Sequence, residues 1–172
     1  MKIFVPDSYY KNVYDIDYDN LYKKKIKCIM FDLDNTLALI DEGIPPEKVI
    51  KFIKNLNKRF DTYIVSNNNR TRIEKFCSHF DSVFVAMAMK PLGKGFRTIQ
   101  KLGNYDKREM CIIGDQLMTD ILGGNRFGCY TILVDPLGKK DLKITSLNRT
   151  LENIVLKNLS KKGILERGKY YE

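Results

Sequence analysis

The sequence predicts an α/β fold, with a mainly parallel five-stranded sheet covered by helices on both faces in three layers. Short apolar runs alternate with helical patterns from Ile26 onward, the order that βαβ units produce. The 172 residues make about one domain, long enough to bury roughly 68–70% of the unfolded surface. A composition of 44% apolar and 30% charged residues excludes disordered and fibrous classes.

Apolar runs over 26–31, 62–65, 82–86, 110–113 and 130–134 have the length and continuity of buried strands. Between them, 46–59, 70–80, 94–102 and 119–127 carry helical patterns. Pro46 suits a first helical turn, Asn69 or Thr71 can cap the second helix, and Gly103 can end the third. The longest strictly apolar run, Val83 to Met89, falls far short of the ~20 residues a membrane helix needs. Too few apolar residues precede Pro6 for a secretory signal core.

The two ends differ from the core at 26–138. Residues 1–25 hold Tyr9, Tyr10, Tyr14, Tyr18 and Tyr22, followed by Lys23, Lys24 and Lys25, and are expected to pack on the core or flank it. From Lys139 to Glu172 there are nine Lys/Arg against four Asp/Glu, within a net charge of +9 for the chain. Such a balance favours polyanionic partners: nucleic acid, anionic lipid or phosphorylated substrates. Within this tail, Leu147, Leu151, Ile154, Val155 and Leu159 fall on one helical stripe over 146–162. Arg149, Asn153, Lys157 and Lys161 fall on another face, and Gly163 closes the helix. Cys28, Cys77, Cys111 and Cys129 form no CxxC pair, and His79 is the single histidine. A zinc site is therefore not expected, and a reduced, cytoplasmic protein with structural cysteines is.

Chemistry-bearing residues gather where parallel strands end, the place where such sheets bind ligands. The first strand runs into FDLDNTL, the second into SNNN, a loop before the third helix carries Lys90-Pro91, and the fourth strand runs into GDQLMTD. Each piece alone has a bland explanation as a cap, a turn or a solvated charge. Invoking that explanation four times at successive strand ends is less economical than one phosphoryl-transfer site. Asp32 is then the nucleophile that forms an aspartyl-phosphate, and Asp34 the general acid and base. Mg²⁺ would lie on Asp32, the Asp34 carbonyl and Asp115, backed by Asp120 and Thr36. Ser66 and Asn67, with neighbouring N–H groups, would bind the phosphoryl oxygens, and Lys90 would add a point charge. Asp120 alternatively helps to position Lys90.

These residues resemble the four signatures of the haloacid-dehalogenase-like (HAD) phosphohydrolase superfamily: DxDxT, a Ser, a Lys and GDxxxxD. Intervals of 34, 24 and 25 residues separate Asp32, Ser66, Lys90 and Asp115. More narrowly, DLDNTL, IVSNNN, KP-G-K and IGDQLMTDILGGNRFG look like the YqeG family of subclass IIIA. That likeness extends into both flanking segments, although the chain has no Trp where one is expected after Asp34. The resemblance implies a HAD-like Rossmannoid core and, through a related mitochondrial phosphatidylglycerophosphate phosphatase, an anionic lipid phosphate as substrate.

Only residues 35–45 separate the catalytic pair from the next helix, so no sizeable cap domain is expected and substrates can be large. Four or five tail cations at about 1 kcal/mol each would give transient contact with an anionic bilayer through the C-terminal helix. The protein could thus be peripheral at the inner membrane face. Alternatives are a phosphatase of nucleic-acid ends or small metabolites, and a non-catalytic basic module that binds RNA or protein. Nucleic acid is less favoured, because only the amino-terminal tyrosines could stack on bases.

Overall fold

The computed structural model describes residues 2–80, 82–138 and 143–172, with residues 143–148 described by their backbone alone. Its sheet has six parallel strands: β1 Ser8–Tyr10, β2 Cys28–Phe31, β3 Asp61–Val65, β4 Val83–Val85, β5 Met110–Gly114 and β6 Tyr130–Val134. They lie in the order β1-β6-β5-β2-β3-β4. The helices are α1 Tyr18–Lys23, α2 Glu47–Leu56, α3 Arg70–Cys77, α4 Lys94–Gly103, α5 Leu122–Phe127 and α6 Lys143–Lys161.

Side chains alternate across the strands and so build two cores. Ile29 and Phe31 of β2 pack with Val49 and Ile53 of α2 and Ile73 and Phe76 of α3. Cys28 and Met30 pack on the other face with Phe96 and Ile99 of α4 and Phe127 of α5. Burial on both faces is why these strands read as unbroken apolar runs. Each such Ile, Phe or Met stabilises the fold by roughly 1.5–3 kcal/mol. All four cysteines are buried free thiols. No helix among the described residues is long and apolar enough to cross a membrane.

The sixth strand corrects the expected five. Ser8–Tyr10 pairs in parallel with β6, Tyr9 opposite Leu133. On its other side, Tyr9 N–H donates to Tyr171 O (2.7 Å) and Tyr171 N–H to Tyr9 O (2.9 Å). Three residues between a proline and a polar turn are too short to show a period, so the strand is defined by its partners. The two chain ends thus meet at one sheet edge.

Helix limits also shift. Pro46 is the N-cap rather than a first-turn residue, and α2 ends at Leu56. Asn69 caps α3 as expected, accepting from Arg72 N–H. The helix expected over 119–127 starts earlier, as a π turn over Leu117–Ile121 that leads into α5.

On α6 the buried face is rotated from the expected stripe. Leu159 is buried, but Leu151 and Ile154 are exposed and Glu152 is buried in their place. Glu152 accepts from the Leu117 N–H at the start of the π turn (3.0 Å) and pairs with Arg167 (2.8 Å) and Arg149 (3.3 Å). Satisfying that N–H and those guanidinium groups outweighs burial of two aliphatic side chains. The expected stripe residue Leu147, and Lys139 of the basic segment, lie outside the side chains described.

Tyr9 is fully buried, and its hydroxyl donates to Asp135. Tyr9→Ala should lower the unfolding free energy by about 3–5 kcal/mol, as aromatic truncations in cores do. Denaturant titration checks this, and a loss under about 1 kcal/mol would mean that the first strand is dispensable to the core.

Candidate active site

From β2 the sheet grows outward through β3 and β4 on one side and through β5, β6 and β1 on the other. The connection reverses between β2 and β5, so a crevice opens at their carboxyl ends. Asp32 directly follows β2 and Asp115 directly follows β5. Asp32 N–H donates to Ile113 O (2.9 Å), so the ladder extends to the backbone of Asp32 itself.

One carboxylate oxygen each from Asp32, Asp115 and Asp120 lie within 4.8 Å of one another, and all three residues are buried. Gly114 permits this crowding, because a Cβ there would sit 2.3 Å from the Asp120 carboxyl carbon. The π turn sets Asp120, whose Oδ2 accepts from Gln116 N–H (3.2 Å). Lys90 Nζ lies 2.6 Å from both Asp32 Oδ1 and Asp120 Oδ1, with its side chain only 3% exposed. Thr36 Oγ1 donates to Asp115 Oδ1 (3.3 Å).

The loop after β3 fixes the Lys90 backbone. Asn67 Oδ1 accepts from Lys90 N–H (2.7 Å) and Asn67 Nδ2 donates to Lys90 O (3.0 Å). Both ends of the Asn67 amide thus engage the Lys90 backbone. Ser66 is buried, its Oγ accepting from Asn68 N–H (3.2 Å) and its carbonyl from Ala88 N–H (3.0 Å). Met87 and Met89, which flank Ala88, have φ of 47° and 55°. A non-glycine residue in that region costs about 1–3 kcal/mol, and here the twist sends Ala88 inward and delivers Lys90 to the carboxylates.

Asp34 stands at the margin of the cluster. Arg72 of α3 donates to its Oδ1 from Nη2 (2.5 Å) and Nε (3.1 Å), and Asn68 Nδ2 donates to its Oδ2 (3.0 Å). Arg72 and Asn68 carry no local signature of this role in the sequence, because Asp34 lies 38 and 34 residues away from them. Arg149 was expected on the outward basic face of the C-terminal helix, among the cations that would meet a bilayer. Arg149 instead turns inward, donating to an Asp115 carboxylate oxygen and to Asp115 O (3.3 Å). A cue was present: Glu152 at i+3 gives Arg149 a helical partner.

Burial pushes the Asp32 carboxyl well above the usual carboxylate range; Lys90 opposes the shift, and Asp120 and Asp115 add to it. Burial likewise raises Asp115 to about 7, against the pull of Arg149. Burial disfavours the Lys90 ammonium, but Asp120 and Asp32 outweigh it and hold the lysine charged. Among the described residues, the carboxylates of Asp32, Asp34, Asp115, Asp120 and Glu152 face Lys90, Arg72, Arg149 and Arg167. Clustered hard oxygen donors whose carboxyls are raised by burial and by one another fit a divalent cation such as Mg²⁺.

An aspartate that titrates at about 7 when folded and at 3.8 otherwise keeps its proton over an interval where the unfolded chain has lost it. Its contribution to stability therefore falls as pH rises through that interval. Mg²⁺ bound at the cluster would replace the proton, so it should raise the thermal midpoint more above the interval than within its lower half; equal shifts would contradict the cluster as its site. Arg149→Ala should cost about 3–5 kcal/mol by leaving Asp115 buried and unpaired. Saturating Mg²⁺ should recover part of that loss in calorimetry.

Comparison with known proteins matches residues 86–160 to the HAD-hydrolase-like family model and residues 1–81 to the model for mitochondrial PGP phosphatase. A Bacillus subtilis protein named "Probable phosphatase YqeG" is 37% identical over 166 residues, which cover 96% of each chain. The chloroplastic/mitochondrial phosphatidylglycerophosphate phosphatase 1 of Arabidopsis thaliana is 30% identical over 90% of this chain, but the match spans only 47% of that longer protein. Among solved structures, the HAD-hydrolase YfnB of Bacillus subtilis, bound to magnesium, superposes with a TM-score of 0.51 at 16% identity. That match covers 69% of this chain and 91% of YfnB.

Proposed function

The chain belongs to the YqeG family of HAD-type phosphatases, and from that premise we propose a Mg²⁺-dependent phosphomonoesterase that acts through Asp32 on a lipid-linked phosphate. Phosphatidylglycerophosphate is the leading candidate substrate. The observation that carries the chemistry is Lys90 Nζ at 2.6 Å from Asp32, beside buried Asp115 and Asp120. A carboxylate and a phosphate ester repel one another. Asp32 and Asp115 would hold Mg²⁺, which would supply the charge neutralisation that lets carboxylate and ester meet.

Asp32 attacks phosphorus as the ester P–O bond breaks, and Asp34 gives its proton to the leaving oxygen. Asp34 then takes a proton from water, whose oxygen attacks the aspartyl-phosphate and releases inorganic phosphate and the Asp32 carboxylate. Arg72 and Asn68 hold Asp34 in place for both transfers. Lys90, Ser66 and the N–H of Asn67 bind the transferring oxygens, while Asp120 keeps Lys90 extended. Thr36 steadies Asp115.

Three features support the lipid substrate. No inserted domain separates β2 from α2 to roof the site. The Arabidopsis relative is named for phosphatidylglycerophosphate. The net charge of +9 favours an anionic surface, and Lys157 and Lys161 are exposed on α6 near exposed Ile154. Those residues offer the weak peripheral contact that such a substrate requires.

Asp32→Asn should abolish turnover of a generic phosphate ester, since the amide cannot form the acyl phosphate; retained turnover would refute the nucleophile. Wild-type protein should hydrolyse phosphatidylglycerophosphate in vesicles faster than sugar phosphates or 3′-phosphorylated DNA. Equal or faster release of phosphate from the soluble compounds would overturn the lipid preference.

A further inference from the structure

Resting on the phosphatase site above, we propose that the β4–α4 loop is the surface that enters an anionic bilayer and brings the site mouth to its substrate. The loop carries three large apolar side chains on the surface: Met87 is 68% exposed, Met89 49% and Leu92 61%. Exposed aliphatic side chains are common singly. Three within six positions, at the mouth of a site, form a patch with a purpose.

The backbone presents these residues deliberately. Met87 and Met89 take left-handed φ values while Ala88 between them points inward at 1% exposed. Met87 N–H donates to Asn68 O (3.0 Å) and Leu92 N–H to Met89 O (2.7 Å). The turn is thereby tied to the loop that holds Asp34 and to the residue before Lys90. Whatever docks on the tip is held in register with the reacting groups.

Charge selects the occupant. Residues 82–105 contain no Asp or Glu. Lys94 and Arg97 lie on the first turn of α4 and are exposed, and Arg126 shares with Arg97 the hollow beside Leu92. Arg70, which opens α3, lines the hollow beside Met87. Helix dipoles favour acids at helix starts, yet α3 and α4 have none in their first turns. An apolar tip ringed by cations matches an anionic lipid surface, with methionine and leucine in the acyl region and the cations at headgroup phosphates. A second copy would set these cations against their own kind. In the loop between β2 and α2, exposed Leu39 and Ile44 have Asp41 and Glu42 between them and lack the match.

The chain has no tryptophan, so one introduced indole reports alone. Leu92→Trp should shift its emission to the blue on vesicles of mixed phosphatidylcholine and phosphatidylglycerol, and brominated acyl chains should quench it. Leu102→Trp is equally exposed at the far end of α4 and should do neither. Raised salt should reduce the Leu92→Trp response, since screening weakens the cationic ring. A silent Leu92→Trp, or an equal response from Leu102→Trp, overturns the proposal. So does a blue shift that grows with protein concentration without lipid, which would make a second copy the occupant. Emission is read without turnover. A vesicle response with no lipid-phosphate hydrolysis would therefore refute the substrate while upholding the docking surface.

Discussion

Three carboxylates buried at the tips of neighbouring strands repel one another, and much of the structure answers that repulsion. Asp32 and Asp115 are brought side by side by the sheet order, because β2 and β5 pair directly. Asp120 is added by the π turn. No such cluster survives in a low-dielectric interior without counter-charge. Lys90 supplies it from the β4 side and Arg149 from α6. The second contact explains why a terminal helix packs where it does. Glu152 pairs with Arg149 and with Arg167, so these three residues of the C-terminal segment are electrostatically part of the site.

The same demand accounts for the local irregularities. Gly114 clears room for the Asp120 carboxyl. Asn35, with φ of 65°, turns the chain straight after Asp34, and asparagine tolerates that region better than most residues. Met87 and Met89 adopt it without such tolerance. These deviations lie in loops at the carboxyl end of the sheet, while the strands beneath remain regular and apolar on both faces. At Met87 and Met89 the strain orients Lys90 and is held by a stiff scaffold.

That division also explains what could be read in the sequence. Periodicity is a local signal, so β2 to β6 and the helices between them stood out, with errors of a few residues at their ends. Asp32, Ser66, Lys90 and Asp115 stood out because each follows a legible strand. Strand β1 did not, since three residues carry no period and their partners lie beyond residue 129. Arg72 was hidden for a related reason, and Arg149 had only Glu152 three positions on to mark it. A lone arginine on an amphipathic helix looks solvated whether or not its guanidinium turns inward, and only the tertiary packing decides. The rotation of α6 shows the same limit: hydrophobicity alone cannot anticipate that a buried glutamate will outrank two aliphatic side chains when it satisfies a free N–H and two arginines.

Phosphoryl transfer through a carboxylate needs water excluded around the reacting groups, because bulk solvent weakens the electrostatics on which it depends. An inserted domain that closes over the site would provide that exclusion, and none interrupts the strand–helix units here. The walls are already dry: Asp115 and Asp120 are fully buried, and Lys90 nearly so. What stays open is the mouth, one wall of which is the apolar loop of Met87, Met89 and Leu92. On the proposed docking, the substrate's own surroundings supply the missing roof, for a lipid surface pressed against that wall displaces solvent as a closing domain would. The exposed apolar residues and the lack of a cap are then one solution to a single requirement.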